Sequence, residues 1–186
     1  MSAPQLKLHR DRCAVLVVDV QDRLTPAMPP DTLERLVKYT RALIHAGKTL
    51  GMPVIATEQY PKGLGRTLPQ LTELLPAAPL EKVHFSCGAD PGFQRTLENT
   101  GRKQVLIAGM ESHVCVFQTA RDLVAMGFDV HVCADAVASR TEEHRVRGLE
   151  LCSRAGATVT TAETAIFDLL QQAATPEFKA VASWVK

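Results

Sequence analysis

The chain has 186 residues, a hydrophobic fraction of 46% and a formal net charge of +1. This composition excludes a disordered chain, and the length suits a single α/β domain over residues 1–186. The balanced charge provides no basic field, so we expect no nucleic-acid partner.

The first predicted strand is the apolar run 13–18, which ends at Asp19. Continuous apolar character is typical of a strand that is buried on both faces of a sheet. Apolar residues at helical spacing then predict a helix over 33–50, closed by a glycine and a proline. A second strand is predicted at 54–57. The segment 58–80 is rich in proline and glycine, which predicts a long functional loop with one short helix.

The second half of the chain continues the alternation of strands and helices. A short third strand is expected to run up to Lys82 or Val83. The remaining predicted elements are a helix at 91–100, a strand at 104–109, a helix at 112–126, a strand at 128–133, a helix at 141–155, a strand at 158–160 and one or two closing helices.

Six strands joined by helical crossovers indicate a doubly wound three-layer α/β sandwich with a mostly parallel sheet. The common strand order 3-2-1-4-5-6 reverses between the first and fourth strands, and ligands bind beyond the carboxyl ends of strands at such a reversal. Asp19 ends the first strand and Cys115 follows the fourth. The topology is therefore expected to bring these two side chains into one crevice.

Residues 1–12 are polar and do not have the pattern of a signal peptide. No apolar run approaches the length of a membrane span. We therefore expect a cytoplasmic location and no membrane partner.

The chain has five cysteines, an odd number without a CxxC pair. This pattern predicts neither a disulfide framework nor a zinc site, because a structural zinc needs four converging ligands. We expect no metal and no cofactor.

Cys115 is the strongest candidate for a nucleophile. If Ser112 caps the following helix, Cys115 lies in the first turn, where free N–H groups and the helix dipole are expected to lower the thiol pKa. The alternative is a buried cysteine that packs like a small apolar residue. Cys87, in a predicted loop, is the one rival thiol.

Asp19 and Lys82 are the expected partners of the thiol. A carboxylate at the end of an apolar strand must either reach a crevice or be paired with another group, and here it would serve as general base. Lys82 would hold the carboxylate and offset its charge; otherwise the carboxylate would oppose thiolate formation. A solvated lysine is the alternative.

Three segments together resemble the isochorismatase-like cysteine hydrolases, in the branch of the isochorismatase-domain-containing proteins. They are Asp19-Val-Gln21, Lys82 with Phe85-Ser86, and Gly109-Met-Glu-Ser-His-Val-Cys115-Val, and residues 133–140 are also similar. The resemblance covers nearly the whole chain in order.

This resemblance implies a triad of Asp19, Lys82 and Cys115. It also implies a cis peptide between Met110 and Glu111, with the N–H groups of Glu111 and Cys115 forming an oxyanion hole. Assembly into a homo-oligomer, a dimer or larger, is implied as well.

The sequence departs from the nicotinamidases of this family at the second strand. Those enzymes carry an Asp-x-His metal pair there, whereas this chain has Glu58, Gln59 and Tyr60. These three side chains are expected to line the substrate pocket; the alternative is that they are surface loop residues. The other expected pocket residues are Gln21, Phe85, Glu111 and His113, although His113 also fits a hydrogen-bonded surface histidine.

The resulting hypothesis is a hydrolase that cleaves a small amide or a related polar metabolite at a C–N bond through a thioester. One alternative is a non-catalytic ligand-binding or scaffold protein that retains the fold. Another is a thiol redox sensor, for which no resolving cysteine is evident in the sequence.

Overall fold

The computed structural model describes residues 6–185. Residues 1–5 and residue 186 therefore lie outside the described part. They include both ends of the expected domain and the beginning of the polar segment 1–12.

Six parallel strands form one sheet in the order β3-β2-β1-β4-β5-β6, which confirms the predicted topology. The strands are β1 (Cys13–Val18), β2 (Val54–Gln59), β3 (Leu80–Lys82), β4 (Gln104–Met110), β5 (Asp129–Ala138) and β6 (Thr158–Thr160). The order reverses between β1 and β4, so the carboxyl ends of these two central strands flank the crevice expected from the sequence.

Helices cover both faces of the sheet. The α-helices are α1 (Pro30–Thr49), α2 (Pro61–Leu64), α3 (Pro69–Thr72), α4 (Pro91–Asn99), α5 (Phe117–Ala125), α6 (Glu142–Arg154), α7 (Ala162–Leu170) and α8 (Pro176–Val181). Apolar residues of α1, α3, α7 and α8 pack on one face, and those of α4, α5 and α6 pack on the other. Since both faces are covered, the architecture is a three-layer sandwich.

The side chains of β1 show how the sheet separates the two cores. Cys13, Val15 and Val17 belong to the core beneath α1, while Ala14, Leu16 and Val18 belong to the core beneath α5. This alternation follows from the two-residue period of a strand, and it explains why the whole run is apolar. Asp19 follows as the first polar residue.

Gly109 lets the two central strands approach each other at the site. It pairs with Val18, has φ +131°, and a Cβ there would overlap the Val18 carbonyl oxygen and lie 2.6 Å from the Val18 nitrogen. A side chain at this position would therefore both strain the backbone and push the two strands apart.

β5 is longer than the sequence predicts. Its pairing with β4 shifts between Ile107 and Gly109, because β5 bulges and then resumes pairing at Val137 and Ala138. The strand was expected to end at residue 133. The continuation beyond the bulge carries Ser139 to the carboxyl edge of the sheet, beside the end of β4.

The helix expected at 112–126 begins differently from the prediction. Residues Ser112–Val116 form a π-helical turn, called here the π turn, and α5 follows from Phe117. The π turn has no side-chain cap, so the predicted capping by Ser112 is wrong. Its hydroxyl instead lies 2.6 Å from that of Ser139.

Candidate active site

Asp19 directly follows the last residue of β1, and its backbone lies in the left-handed region, with φ 52°. Aspartate tolerates this conformation better than most residues, and the turn directs its carboxylate beneath the carboxyl edge of the sheet. The group is fully buried. Its Oδ1 accepts a hydrogen bond of 2.8 Å from the Thr57 hydroxyl, and its Oδ2 lies 2.6 Å from Lys82 Nζ. Both oxygens are thus fixed by neighbouring strands.

Lys82 ends β3 and is buried with its ammonium group fully hydrogen-bonded. Besides Asp19, its Nζ donates to the carbonyl oxygens of His84 and Phe85, at 3.0 and 3.1 Å. Burial disfavours the charged form, but Asp19 together with the nearby Cys87 and Cys115 thiols more than offsets burial, so the pKa of Lys82 is raised. The lysine is therefore a buried partner of the carboxylate whose charged form is favoured, not a solvated surface group.

Cys115 lies in the π turn, with 7% of its surface exposed and its thiol beside the Asp19 carboxylate. Burial, together with the adjacent negative charge of Asp19, raises the pKa of the Cys115 thiol above its usual value. The expected lowering of this pKa is therefore wrong. A raised pKa disfavours the free thiolate, so the nucleophilic form needs a nearby base, and Asp19 is in position to act as that base.

Burial also raises the pKa of Asp19, although Lys82 opposes the effect. A carboxylate with a raised pKa accepts a proton more readily than an ordinary aspartate does. Asp19, Lys82 and Cys115, predicted from three distant parts of the sequence, thus lie together in one buried cluster.

The Met110–Glu111 peptide bond is cis. The Glu111 side chain turns toward the end of β5, where its Oε1 accepts from the backbone nitrogen of Arg140 at 3.2 Å and from Arg140 Nε at 3.0 Å. The Glu111 carboxylate is therefore committed to Arg140.

Two residues expected to bind substrate instead hold the loop after β2. Gln21 is buried, with its amide donating to the carbonyls of Gln59 and Gly65 and accepting from the Gln59 nitrogen. Glu58 is buried and accepts from the backbone and the hydroxyl of Thr67. Both side chains are used in shaping the loop rather than presented to a crevice.

The remaining pocket candidates lie at the surface around the cluster. Tyr60 and Phe85 are each 53% exposed, and His113 is half-buried in the π turn. Gln59 is half-buried, and its side-chain nitrogen donates to the Val83 carbonyl. A crevice of about 380 Å³ is lined in part by Tyr60, Lys82 and Val83, and its lining includes neither Asp19 nor Cys115.

Thr57, near the cluster, was not identified as a site residue from the sequence. It is buried and donates a hydrogen bond to Asp19, and Cys87, the rival thiol of the sequence analysis, lies 3.6 Å from its hydroxyl. Burial raises the pKa of Cys87 to about 11, and Asp19 adds to this effect. The sequence did contain a signal for Thr57. It lies near the end of the predicted second strand, and neighbouring parallel strands end at the same edge of a sheet, so Thr57 could have been expected close to Asp19.

Within residues 6–185, no three His, Cys, Asp or Glu side chains converge on a point where a metal ion could bind. No helix in the same part of the chain is both long enough and apolar enough to cross a bilayer.

A family model described as isochorismatase domain matches residues 13–164, a span that includes the whole cluster. The chain is 39% identical over 160 residues to a secreted isochorismatase effector of Phytophthora sojae, covering 83% of this chain and 76% of that protein. It is 35% identical over 169 residues to isochorismatase domain-containing protein 1 of Danio rerio, covering 90% of this chain and 59% of that protein.

Solved structures share the fold over nearly the full length. A MAR1 ribonuclease from Caenorhabditis elegans superposes with a TM-score of 0.88 at 35% identity, covering 96% of this chain and 92% of that one. The YcaC protein of Escherichia coli, described as an octameric hydrolase of unknown specificity, superposes with a TM-score of 0.89 at 28% identity, covering 98% and 91%.

Proposed function

This chain belongs to the isochorismatase family, and we propose that it is a hydrolase whose nucleophile is the thiol of Cys115. One observation carries the proposal: the Cys115 thiol lies close enough to Asp19 for the carboxylate to shift its pKa, and Asp19 is itself ion-paired to buried Lys82. A buried carboxylate and a buried lysine are costly to maintain in a fold. Their position beside the least buried of the five thiols supports a catalytic role for Asp19, Lys82 and Cys115.

In the proposed reaction, Cys115 Sγ attacks the carbonyl carbon of a small amide as its proton passes to Asp19. The carbonyl oxygen becomes an oxyanion that accepts hydrogen bonds from the N–H groups of Glu111 and Cys115. One such donor contributes about 3–4 kcal/mol of transition-state stabilisation in enzymes. The protonated Asp19 then gives its proton to the leaving nitrogen, the C–N bond breaks and a thioester remains.

Water completes the proposed cycle. Asp19 takes a proton from a water molecule as the water attacks the thioester, and it returns this proton to the departing sulfur. Lys82 keeps Asp19 ionised between the two steps and fixes its orientation. The exposed side chains of Tyr60 and Phe85 and the half-buried side chain of His113 are proposed to contact the substrate, with no metal or other cofactor in the reaction.

The nematode protein is described as a ribonuclease, so RNA is an alternative substrate. Binding of a phosphate backbone depends on several Lys and Arg contacts within a positive field. The net charge of +1 provides no such field. We therefore propose a small polar metabolite as substrate, and an assembly of several copies like that of the octameric relative.

Acyl transfer to p-nitrophenyl acetate tests the proposed nucleophile without knowledge of the substrate. We expect a burst of p-nitrophenolate approaching one equivalent per chain, with the acetyl group on Cys115 by peptide mass spectrometry. Cys115→Ala should abolish the burst. Cys87→Ala, which removes the neighbouring buried thiol, is the matched control and should retain it. A burst that survives Cys115→Ala would place the acyl group on another nucleophile and overturn the assignment, whereas a wild-type protein without a burst would support a ligand-binding protein that retains only the fold.

A further inference from the structure

Three hydrogen bonds converge on the hydroxyl of Ser139, which is 1% exposed at the end of β5. Its Oγ accepts from the Ser112 backbone nitrogen at 3.1 Å, lies 2.6 Å from Ser112 Oγ, and lies 3.0 Å from His113 Nδ1. Both partners belong to the π turn that carries Cys115. One buried side chain on β5 therefore holds the start of this turn.

The protons of this network can be assigned consistently. A serine hydroxyl donates one hydrogen bond and accepts two. Ser112 Oγ also lies 3.4 Å from the Arg145 carbonyl oxygen, a second acceptor for its one proton. When Ser112 instead donates along the shorter 2.6 Å contact, Ser139 accepts from both Ser112 groups and its own proton goes to His113 Nδ1, which must then be unprotonated. Burial lowers the pKa of His113, and the nearby charges of His144 and Arg140 add to this effect while Glu111 opposes it. A neutral imidazole at neutral pH fits the assignment.

The hydrogen bonds of Ser139 hold the backbone segment between Glu111 and Cys115, the two residues whose N–H groups are the proposed oxyanion donors. Ser112 directly follows Glu111, and the Glu111 carbonyl accepts from Val116 across the π turn. On the other side of the turn, a Cβ on Gly148 of α6 would lie 2.6 Å from the His113 nitrogen, so α6 packs directly against this backbone. Ser139 and α6 thus fix the π turn from two sides.

We propose that Ser139 is a positioning residue for acyl transfer, whose hydroxyl holds the π turn so that the N–H groups of Glu111 and Cys115 face the oxyanion. The inference rests on the proposed function. It also goes further, because it assigns a role in transition-state stabilisation to a residue that touches neither the substrate nor the thiol.

Two reactions of the same thiol separate this role from a merely structural one. Attack on p-nitrophenyl acetate forms an S–C bond at a carbonyl, passes through an oxyanion and expels p-nitrophenolate. Attack on iodoacetamide forms an S–C bond at a saturated carbon and expels iodide, without any oxyanion. Both reactions send the thiol proton to Asp19. A defect confined to the oxyanion donors should therefore slow only the first reaction.

We expect Ser139→Ala to lower the rate of acylation by p-nitrophenyl acetate about 10- to 100-fold, because small misplacements of reacting groups have effects of this size. The rate of Cys115 alkylation by iodoacetamide should change less than about twofold. Thr161→Ala is the matched control: it removes a hydroxyl that caps α7 on the opposite face of the sheet, and it should change neither rate.

Ser112→Ala is a second variant. It removes the hydrogen bond between the two hydroxyls but keeps the one from the backbone nitrogen of residue 112 to Ser139 Oγ. It should reduce acylation by about fivefold without slowing alkylation, and it provides the test if Ser139→Ala does not fold. An equal loss in both reactions, or unchanged acylation, would overturn the role of Ser139 while leaving the nucleophile intact. Absence of any burst from the wild-type protein would overturn the proposed function and this inference together.

Discussion

Replacement of Lys82 by methionine is expected to lower the free energy of unfolding by about 3–5 kcal/mol, because it leaves the buried Asp19 carboxylate without its counter-ion. Methionine retains most of the length and volume of the lysine side chain, so the change removes charge more than packing. Chemical denaturation at neutral pH measures the loss. A loss below about 1 kcal/mol would mean that the Lys82–Asp19 pair is solvated.

The loss in Lys82→Met should depend on pH in a definite direction. Burial raises the pKa of Asp19 in the folded protein, and removal of Lys82 raises it further. A folded state whose carboxyl has a raised pKa binds its proton more tightly than the unfolded state does. Stability is therefore lost as pH rises above the unfolded value of about 4, and the variant should be less destabilised at acid pH than at neutral pH.

The double variant Asp19→Asn/Lys82→Met separates stability from catalysis. Removing both charges leaves no unpaired ion, so much of the stability lost in either single variant should return. Acylation by p-nitrophenyl acetate should remain about 10²- to 10⁴-fold below wild type, because the general base is absent. A double variant that recovers both stability and acylation would remove Asp19 from the mechanism.

Gly109→Ala is expected to destabilise the protein by about 3 kcal/mol or more and to abolish acylation. The new Cβ would overlap the Val18 carbonyl between the two central strands, at a φ of +131° that alanine rarely adopts. Val18 directly precedes Asp19, so any relief of the overlap moves the proposed base away from the thiol.

Gly101→Ala is the matched control for Gly109→Ala. Gly101 also has a positive φ, of +68°, but a Cβ there meets no atom within 4 Å. It should therefore cost only about 1–2 kcal/mol, the price of the left-handed conformation, and leave acylation unchanged. Thermal unfolding and burst measurements compare the two variants. Equal effects at both positions would show that backbone conformation, and not the approach of the strands, is what matters at Gly109.

The strands, their order and the meeting of Asp19 with Cys115 could be predicted because each depends on a strong local signal. Buried parallel strands read as apolar runs, and the polar residue that ends such a run lies at the carboxyl edge of the sheet. Lys82 could be predicted in the same way, because it is the polar residue at the end of β3. The family resemblance pointed to the same three residues from their motifs.

The details that shape the site depend on contacts between distant segments. The bulge that carries Ser139 to the edge is fixed by the pairing of β5 with β4, and the π turn by the packing of α6 and Ser139. The pKa of Cys115 was predicted in the wrong direction because burial of the thiol dominates, and because Lys82 offsets the charge of Asp19 less than expected. Gln21 and Glu58 were expected at the pocket, yet their hydrogen bonds go to the loop.

The central claim is that Cys115 is activated by proton transfer to Asp19, and site-resolved alkylation tests it most directly. All cysteines are followed by peptide mass spectrometry with iodoacetamide from about pH 5 to about pH 9, in the wild type and in Asp19→Asn. The account predicts that wild-type Cys115 reacts at least about tenfold faster than Cys13, Cys87, Cys133 and Cys152 near neutral pH. In Asp19→Asn this advantage should be lost and return only at high pH, where the thiol ionises unaided. A Cys115 that reacts no faster than the other four, or that keeps its advantage in Asp19→Asn, would contradict the account.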